Sequence, residues 1–164
     1  RKTIEAYLAA MPEEGVKVCD MNLRGNYYSK EVIESSMRVS DVVKVNSEEL
    51  VEICRVLGVE FTDQHLVARD FIEQYKLEMF IVTCGTEGSF VYCDAENASC
   101  LPTPSVEVVD TVGAGDAFTA IFVAGMLGGL EVRWAHMLAV EAAAFVCTQA
   151  GATPELPEDI KERV

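Results

Sequence analysis

Positive charge is scarce in this chain of 164 residues. Thirteen Lys and Arg residues face 27 Asp and Glu residues, so the formal net charge at pH 7 is −14. A field of that sign repels nucleic acids and anionic membrane surfaces, and we exclude both as partners. No Lys or Arg occurs between residues 77 and 132. An anion bound by that segment therefore needs backbone amides, a metal ion or a basic residue from elsewhere to balance its charge.

Cysteine and histidine lack the spacing that metal sites or disulfide frameworks need. None of the six cysteines forms a Cys-x-x-Cys pair, and there are two histidines. Reduced thiols in a cytoplasmic protein are therefore the expected state. The most apolar run, residues 117–130, is shorter than the roughly 20 residues that span a bilayer. The chain starts at Arg1 without a targeting segment, which predicts that it is part of a longer protein.

Strand-like apolar runs alternate with helical patterns, and the connections are short. This alternation predicts an α/β protein with a mainly parallel sheet, in one domain over residues 1–164. Residues 47–50 indicate a helix start, and Gly58 and Gly151 are predicted helix C-caps. The predicted strands cover residues 16–19, 41–45, 79–84, 89–93 and 98–101, and the predicted helices cover 3–11, 30–39, 47–57, 62–75, 114–127 and 132–150, with a short helix after Pro157.

Residues 110–118 carry the most specific chemical signal. Their sequence is Asp-Thr-Val-Gly-Ala-Gly-Asp-Ala-Phe, in which a loop enters an apolar helix through two glycines. The first turn of a helix has unpaired backbone N–H groups and a partial positive charge, so it stabilises an anion without a lysine. Gly113 and Gly115 let the backbone approach such an anion closely. Asp116 in the same turn is placed to take a proton from an attacking hydroxyl.

This segment differs from two common phosphate-binding patterns. It is not a Walker A loop, because no Gly-Lys-Ser/Thr follows the glycines, and it is not Gly-x-Gly-x-x-Gly, because Phe118 stands at the last position. The plainer alternative is a tight loop-to-helix junction in which the glycines have only a structural role. Asp116 would then be a solvated acid in a first helical turn.

With its flanks, the segment resembles the C-terminal signature of the PfkB-type, ribokinase-like sugar kinases. Residues 20–24, Asp-Met-Asn-Leu-Arg, resemble the Asp-x-Asn-x-Arg segment of fructokinases and 2-keto-3-deoxygluconate kinases. Residues 46–49 resemble the family's Asn-x-x-Glu motif, residues 83–88 its nucleotide turn, and residues 142–153 the segment that closes the nucleotide site. The motifs stand in family order over nearly the whole chain. They imply a ribokinase-like, three-layer α/β/α fold.

Carried over position by position, the resemblance implies ATP, Mg²⁺ and a sugar as ligands. Asp116 would be the catalytic base, and the N–H groups of Gly113, Ala114 and Gly115 would form the anion hole for the transferred phosphoryl group. Arg24 would contact an ATP phosphate or a sugar-acid carboxylate, with a surface ion pair as the alternative. The other implied positions are Asn46 and Glu49 for Mg²⁺ through water; Thr83, Gly85, Gly88 and Val140 for the nucleotide; and Asp110, Val112, Val146, Gln149 and Gly151 for a monovalent cation such as K⁺, where Glu155 replaces a serine that often assists.

Members of this family are considerably longer than this chain. The resemblance therefore implies that the N-terminal half, with most sugar-binding residues and a lid, is absent, that the chain alone is inactive, and that the full-length protein could form a homodimer. Residues 20–24 point toward a fructokinase or a 2-keto-3-deoxygluconate kinase rather than a ribokinase. A fructokinase-like activity is favoured, with 2-keto-3-deoxygluconate kinase or another PfkB sugar kinase as the alternative. Two alternatives remain. One is a non-catalytic nucleotide or sugar sensor on the same fold, against which the intact Asp116 and Gly-Ala-Gly argue. The other is a nucleoside or vitamin kinase, against which residues 20–24 argue.

Overall fold

The computed structural model describes residues 2–12, 14–93 and 98–164. These residues form two compact units, one of residues 2–81 with 92–93 and the other of residues 82–91 with 98–164. None of the helices in the described part of the chain combines the length and the apolar character needed to cross a membrane. The single domain over residues 1–164 stays a prediction.

Helices and strands alternate along the chain, as the sequence pattern predicts. The helices are α1 (Lys2–Ala10), α2 (Lys30–Val39), α3 (Ser47–Leu57), α4 (Gln64–Tyr75), α5 (Ala114–Leu127), α6 (Val132–Cys147) and α7 (Glu158–Lys161). The strands are β1 (Val18–Asp20), β2 (Val42–Asn46), β3 (Met79–Thr83), β4 (Ser89–Tyr92) and β5 (Ala98–Leu101), and a 3-10 turn covers Gly85–Glu87. Each predicted element is present with similar bounds.

The five strands form one mixed, mostly parallel sheet in the order β1-β2-β3-β4-β5. β1 pairs with β2 in parallel, and the register sets Asp20 opposite Lys44. The prediction of an α/β fold with a mainly parallel sheet is confirmed. Because β1 and β2 run in the same direction, the loops that follow Asp20 and Asn46 leave from the same edge of the sheet, where α/β proteins place their ligands.

One helix cap and one helix end differ from the prediction, while α3 starts at Ser47 as predicted. Asn46, rather than a residue of the 47–50 segment, is the N-cap of α3. α6 ends at Cys147 with Thr148 as its C-cap, before the predicted end at residue 150. The N–H groups of Thr148 and Gln149 turn back to carbonyls of the last helical turn, which closes the helix early. Gly151 does adopt a left-handed conformation, with φ of 86°, but it does so in the loop beyond the helix.

Each unit has its own apolar core. In the first unit, Phe71 of α4 packs edge-on against Phe80 of β3, with ring centroids 5.7 Å apart. In the second, α5 packs against α6, and Phe118 and Phe122 stack within α5 with centroids 6.3 Å apart. His136 of α6 is fully buried, so it belongs to the core of the second unit.

Candidate active site

The N-terminus of α5 is built on a glycine that no other residue could replace without strain. Gly113 is the N-cap and has φ of 86°, in the left-handed region. A Cβ on Gly113 would overlap the carbonyl oxygen of Ala152, so the 151–152 loop passes directly over the junction. Because Gly113 has no side chain, the N–H groups of the first turn of α5 are not capped by it. The Ala114 N–H donates to the carbonyl of Thr111 at 3.3 Å, and no side chain caps the turn.

Asp116 lies in this first turn and is exposed to solvent. The turn therefore combines backbone N–H donors, the positive end of a helix dipole and one carboxylate. Such a set can hold an anion and accept a proton from a group beside it. The sequence predicts Gly113, Ala114, Gly115 and Asp116 as this set, and all four belong to the same helical turn and its cap.

Asp110 joins two loops of the second unit. Its Oδ1 accepts the N–H of Val112 at 3.0 Å, and its Oδ2 accepts the N–H of Gly151 at 3.3 Å. The carbonyl of Val146 accepts the N–H of Gln149 at 3.0 Å and also that of Thr148, where α6 ends. Carboxylate and carbonyl oxygens are the ligands that hard cations prefer, and the monovalent cation site stays a prediction. Burial, with a contribution from Asp110, raises the pKa of the neighbouring Cys147 thiol.

The predicted nucleotide turn follows β3 in the second unit. The N–H of Cys84 donates to the carbonyl of Gly88 at 2.8 Å, which closes a tight turn around Gly85–Glu87. Gly88 is buried with φ of 115°, and a Cβ there would lie 2.5 Å from the carbonyl oxygen of Leu101. Thr83 ends β3 and is half-buried. Val140, predicted to face the adenine, is half-buried on α6 of the same unit.

Asn46 and Glu49 form a capping box at the start of α3, in the first unit. The Asn46 Oδ1 accepts the N–H of Glu49 at 2.8 Å, and the Glu49 Oε2 accepts the N–H of Asn46 at 2.9 Å. The other Glu49 oxygen, Oε1, accepts the N–H of Leu23 at 2.9 Å. Both carboxylate oxygens of Glu49 thus accept hydrogen bonds from backbone N–H groups. A Mg²⁺ ion would compete with these bonds by direct ligation, whereas water-mediated contact leaves them intact.

Residues 21–28 form the loop that contains Arg24, and Glu49 anchors its middle. The Tyr28 hydroxyl fixes its end by donating to Glu52 at 2.6 Å. Beneath the loop lies a cavity of about 180 Å³, lined by Cys19, residues 21–24, Tyr27, Tyr28, Val32, Ile33 and Ser36. Arg24 itself is exposed, so its guanidinium is available to an anion from solvent.

Sequence reasoning missed the loop anchor and a buried hydrogen-bond cluster. The Asn-x-x-Glu spacing is also a capping-box pattern, so the cap could have been found, whereas the bond from Glu49 to Leu23 joins residues far apart in sequence. The cluster consists of His136, Ser89 and Ser99, which come from α6, β4 and β5. No local pattern connects them. Asn46, Glu49 and Arg24 belong to the first unit, and the remaining predicted site residues belong to the second.

The fold is that of the ribokinase-like α/β proteins. The family model for pfkB family carbohydrate kinases matches residues 1–159, and the chain belongs to this family. The family recognised from the sequence motifs is therefore confirmed.

Named relatives share the family and differ in substrate. The aminoimidazole riboside kinase of Salmonella typhimurium is 31% identical over 87% of this chain and 46% of its own length. A fructokinase of Escherichia coli is 32% identical over 84% of this chain and 47% of its own length. The crystal structure of 2-dehydro-3-deoxygluconokinase from Thermotoga maritima matches with a TM-score of 0.79 at 25% identity, over 97% of this chain and 53% of that one. The chain thus spans about half the length of these relatives.

Proposed function

We propose that the full-length protein transfers the γ-phosphoryl group of ATP to a hydroxyl of a sugar. The observation that carries this proposal is the start of α5, where Gly113 leaves the first helical turn without a side-chain cap beside the exposed carboxylate of Asp116. Phosphoryl transfer depends on positioning and charge neutralisation more than on covalent help from the protein. Backbone donors and one carboxylate meet that requirement in a segment without Lys or Arg.

In the proposed reaction, Asp116 accepts the proton of the attacking sugar hydroxyl. The sugar oxygen forms a bond to the γ-phosphorus while the bond from that phosphorus to the β–γ bridging oxygen breaks, so ADP leaves. The N–H groups of Gly113, Ala114 and Gly115 stabilise the charge on the transferred phosphoryl oxygens. A helix N-terminus suits this role because its partial positive charge is fixed before the reaction begins.

Further positive charge is proposed to come from Arg24 and a magnesium ion. Arg24 is exposed on a loop that Glu49 and Glu52 hold in place, which supports contact with an ATP phosphate or a substrate carboxylate. Asn46 and Glu49 would hold Mg²⁺ through water, because their own oxygens already accept backbone N–H groups. When bound, the ion neutralises charge on the β- and γ-phosphates.

A fructokinase-like substrate range is our first choice. The Asp-x-Asn-x-Arg sequence of residues 20–24 and the likeness to the Escherichia coli fructokinase support it. 2-Keto-3-deoxygluconate is the next candidate substrate, since residues 20–24 also resemble the kinases that act on it.

The second unit is proposed to hold a monovalent cation and the nucleotide. The cation would be bound by Asp110, Val112, Val146, Gln149 and Gly151. The nucleotide would be bound by Thr83, Gly85, Gly88 and Val140. Six free cysteines, all among the described residues, support a reducing compartment such as the cytoplasm. A homodimer of the full-length protein stays a prediction.

ADP release by the full-length protein tests this function. ATP and Mg²⁺ are supplied with fructose, 2-keto-3-deoxygluconate, ribose or adenosine, and the variants are Asp116→Asn and Asp159→Asn. Asp159 is the matched control, because it is also an exposed acid in a first helical turn, that of α7. We expect turnover with one sugar, a loss of more than about 100-fold in kcat for Asp116→Asn, and no loss for Asp159→Asn.

Two results would contradict the proposal. ATP binding without turnover on any acceptor would favour the sensor. Near-normal kcat in a folded Asp116→Asn variant would remove Asp116 from the role of base.

A further inference from the structure

His136 is a buried titratable residue that the proposed reaction does not use. Its side chain is fully enclosed in the second unit. Nε2 lies 2.7 Å from the Ser89 hydroxyl, and Nδ1 lies 2.8 Å from the Ser99 hydroxyl. Burial lowers the pKa of His136 to about 4, so the ring is neutral near pH 7. A neutral imidazole donates from one nitrogen and accepts at the other, so one serine accepts a hydrogen bond and the other donates one.

The two serines belong to the strands that hold the predicted nucleotide turn. Ser89 directly follows Gly88, the residue that closes the turn. Ser99 lies in β5, whose last residue, Leu101, presents the carbonyl that Gly88 approaches. The Thr103 hydroxyl then donates to the carbonyl of Gly85 on the other side of the turn. His136 therefore ties to α6 the two strand segments between which the turn is held.

The same imidazole contacts the helix that carries the proposed anion hole. The ring of Phe118 meets it edge-on, with centroids 5.7 Å apart and an interplanar angle of 70°. Phe118 is 3% exposed and lies one half-turn beyond Asp116 on α5. A displacement of the imidazole would thus move both the nucleotide turn and the start of α5. Because buried cores are close-packed, neither contact can change alone.

We propose that His136 is a positioning residue, which through Ser89, Ser99 and Phe118 holds the nucleotide turn at a fixed distance from the start of α5. This inference rests on the proposed kinase function. It adds a residue that touches neither ATP nor sugar and yet sets the affinity for ATP. An apolar side chain at position 136 would fill the space, but it would leave two serine hydroxyls without their partner.

Steady-state kinetics of the full-length protein test this role. The variants are His136→Leu, His136→Gln, Ser89→Ala and Ser99→Ala. Ser35→Ala is the matched control, because the Ser35 hydroxyl donates to the carbonyl of Val32 within α2 of the first unit. We expect the KM for ATP to rise about tenfold in His136→Leu and Ser89→Ala, as one or two hydrogen bonds that hold the turn are lost. The KM for the sugar should stay unchanged. Glutamine, which both donates and accepts, should restore part of the affinity for ATP.

The serine variants keep the test decisive if His136→Leu fails to fold, because each removes a single hydroxyl. Unchanged KM values for ATP, with only a lower melting temperature, would overturn the inference and leave His136 a stability residue. An equal rise in the KM for ATP and for the sugar would also overturn it. A wild-type protein that phosphorylates no acceptor would instead refute the proposed function, so the two failures are distinguishable.

Discussion

Glu49 accepts the backbone N–H of Leu23 at 2.9 Å through one carboxylate oxygen while the other oxygen closes the capping box of α3. One buried side chain thus fixes both the start of a helix and the loop that presents Arg24. The bond spans 26 residues of sequence. The proposed phosphate contact of Arg24 and the proposed magnesium site are therefore built on the same carboxylate.

Replacing Glu49 should uncouple helix and loop. We expect Glu49→Ala to lower the free energy of unfolding by about 2 kcal/mol, because a buried carboxylate with two backbone donors is lost. Glu48→Ala is the control, since Glu48 is an exposed acid in the same helical turn. Urea unfolding of the full-length protein measures both, and equal losses in the two variants would refute the anchoring role.

Gly113 should tolerate no side chain, for two separable reasons. Its φ of 86° strains any L-residue, and a Cβ would overlap the carbonyl oxygen of Ala152. Gly129 has nearly the same φ, 87°, and a Cβ there would have no atom within 4 Å. Gly129→Ala therefore measures the backbone strain alone. We expect Gly129→Ala to cost about 1–2 kcal/mol and Gly113→Ala at least about 3 kcal/mol. Thermal unfolding of both variants makes the comparison, and similar losses would contradict the close approach.

The pH dependence of stability should report the buried His136. Its pKa falls from the ordinary 6.5 to about 4 because burial disfavours the charged ring. The unfolded chain therefore binds a proton at higher pH than the folded chain does. The stability that the neutral His136 ring contributes to the folded state is fully present above pH 6.5 and is lost as pH falls toward 4.

Comparison with His136→Leu isolates the contribution of His136 to the free energy of unfolding, because the other titrating groups are common to both proteins. We expect the difference in unfolding free energy between wild type and variant to shift by about 3 kcal/mol against the wild type between pH 7 and pH 4. Denaturant unfolding at several pH values measures it. A difference that is independent of pH would show that the ring is solvated.

Lys44 and Asp20 form an ion pair of low exposure across β1 and β2. Their charged atoms lie 2.9 Å apart, and Lys44 is 6% exposed. We expect Asp20→Ala to cost about 3 kcal/mol, because it leaves an ammonium group without its carboxylate. The added change Lys44→Met should recover much of that loss. Glu158→Gln in the exposed pair with Lys161 should change stability by less than about 1 kcal/mol. A small loss for Asp20→Ala would show that Lys44 finds other solvation.

Much of the fold follows from local patterns in the sequence. Apolar runs rich in Val and Ile predict the strands, and Ser29, Asp63 and Gly58 act as the helix caps that their residue types predict. The predicted end of α6 was wrong because the glycine at position 151 indicates a helix C-cap, whereas α6 ends at Cys147 and its C-cap is Thr148. A left-handed glycine marks a turn, but it does not say which element the turn belongs to.

The sequence by itself determined the elements, the family and the start of α5 with Gly113 to Asp116, because each depends on residues that are neighbours along the chain. Only the tertiary structure decided that Glu49 holds Leu23, that the 151–152 loop covers Gly113, and that His136 joins Ser89 to Ser99. These contacts join residues distant in sequence, and they form only when packing of the apolar faces brings their elements together. Polar side chains buried by that packing must then find partners, since an unpaired buried donor or acceptor is costly.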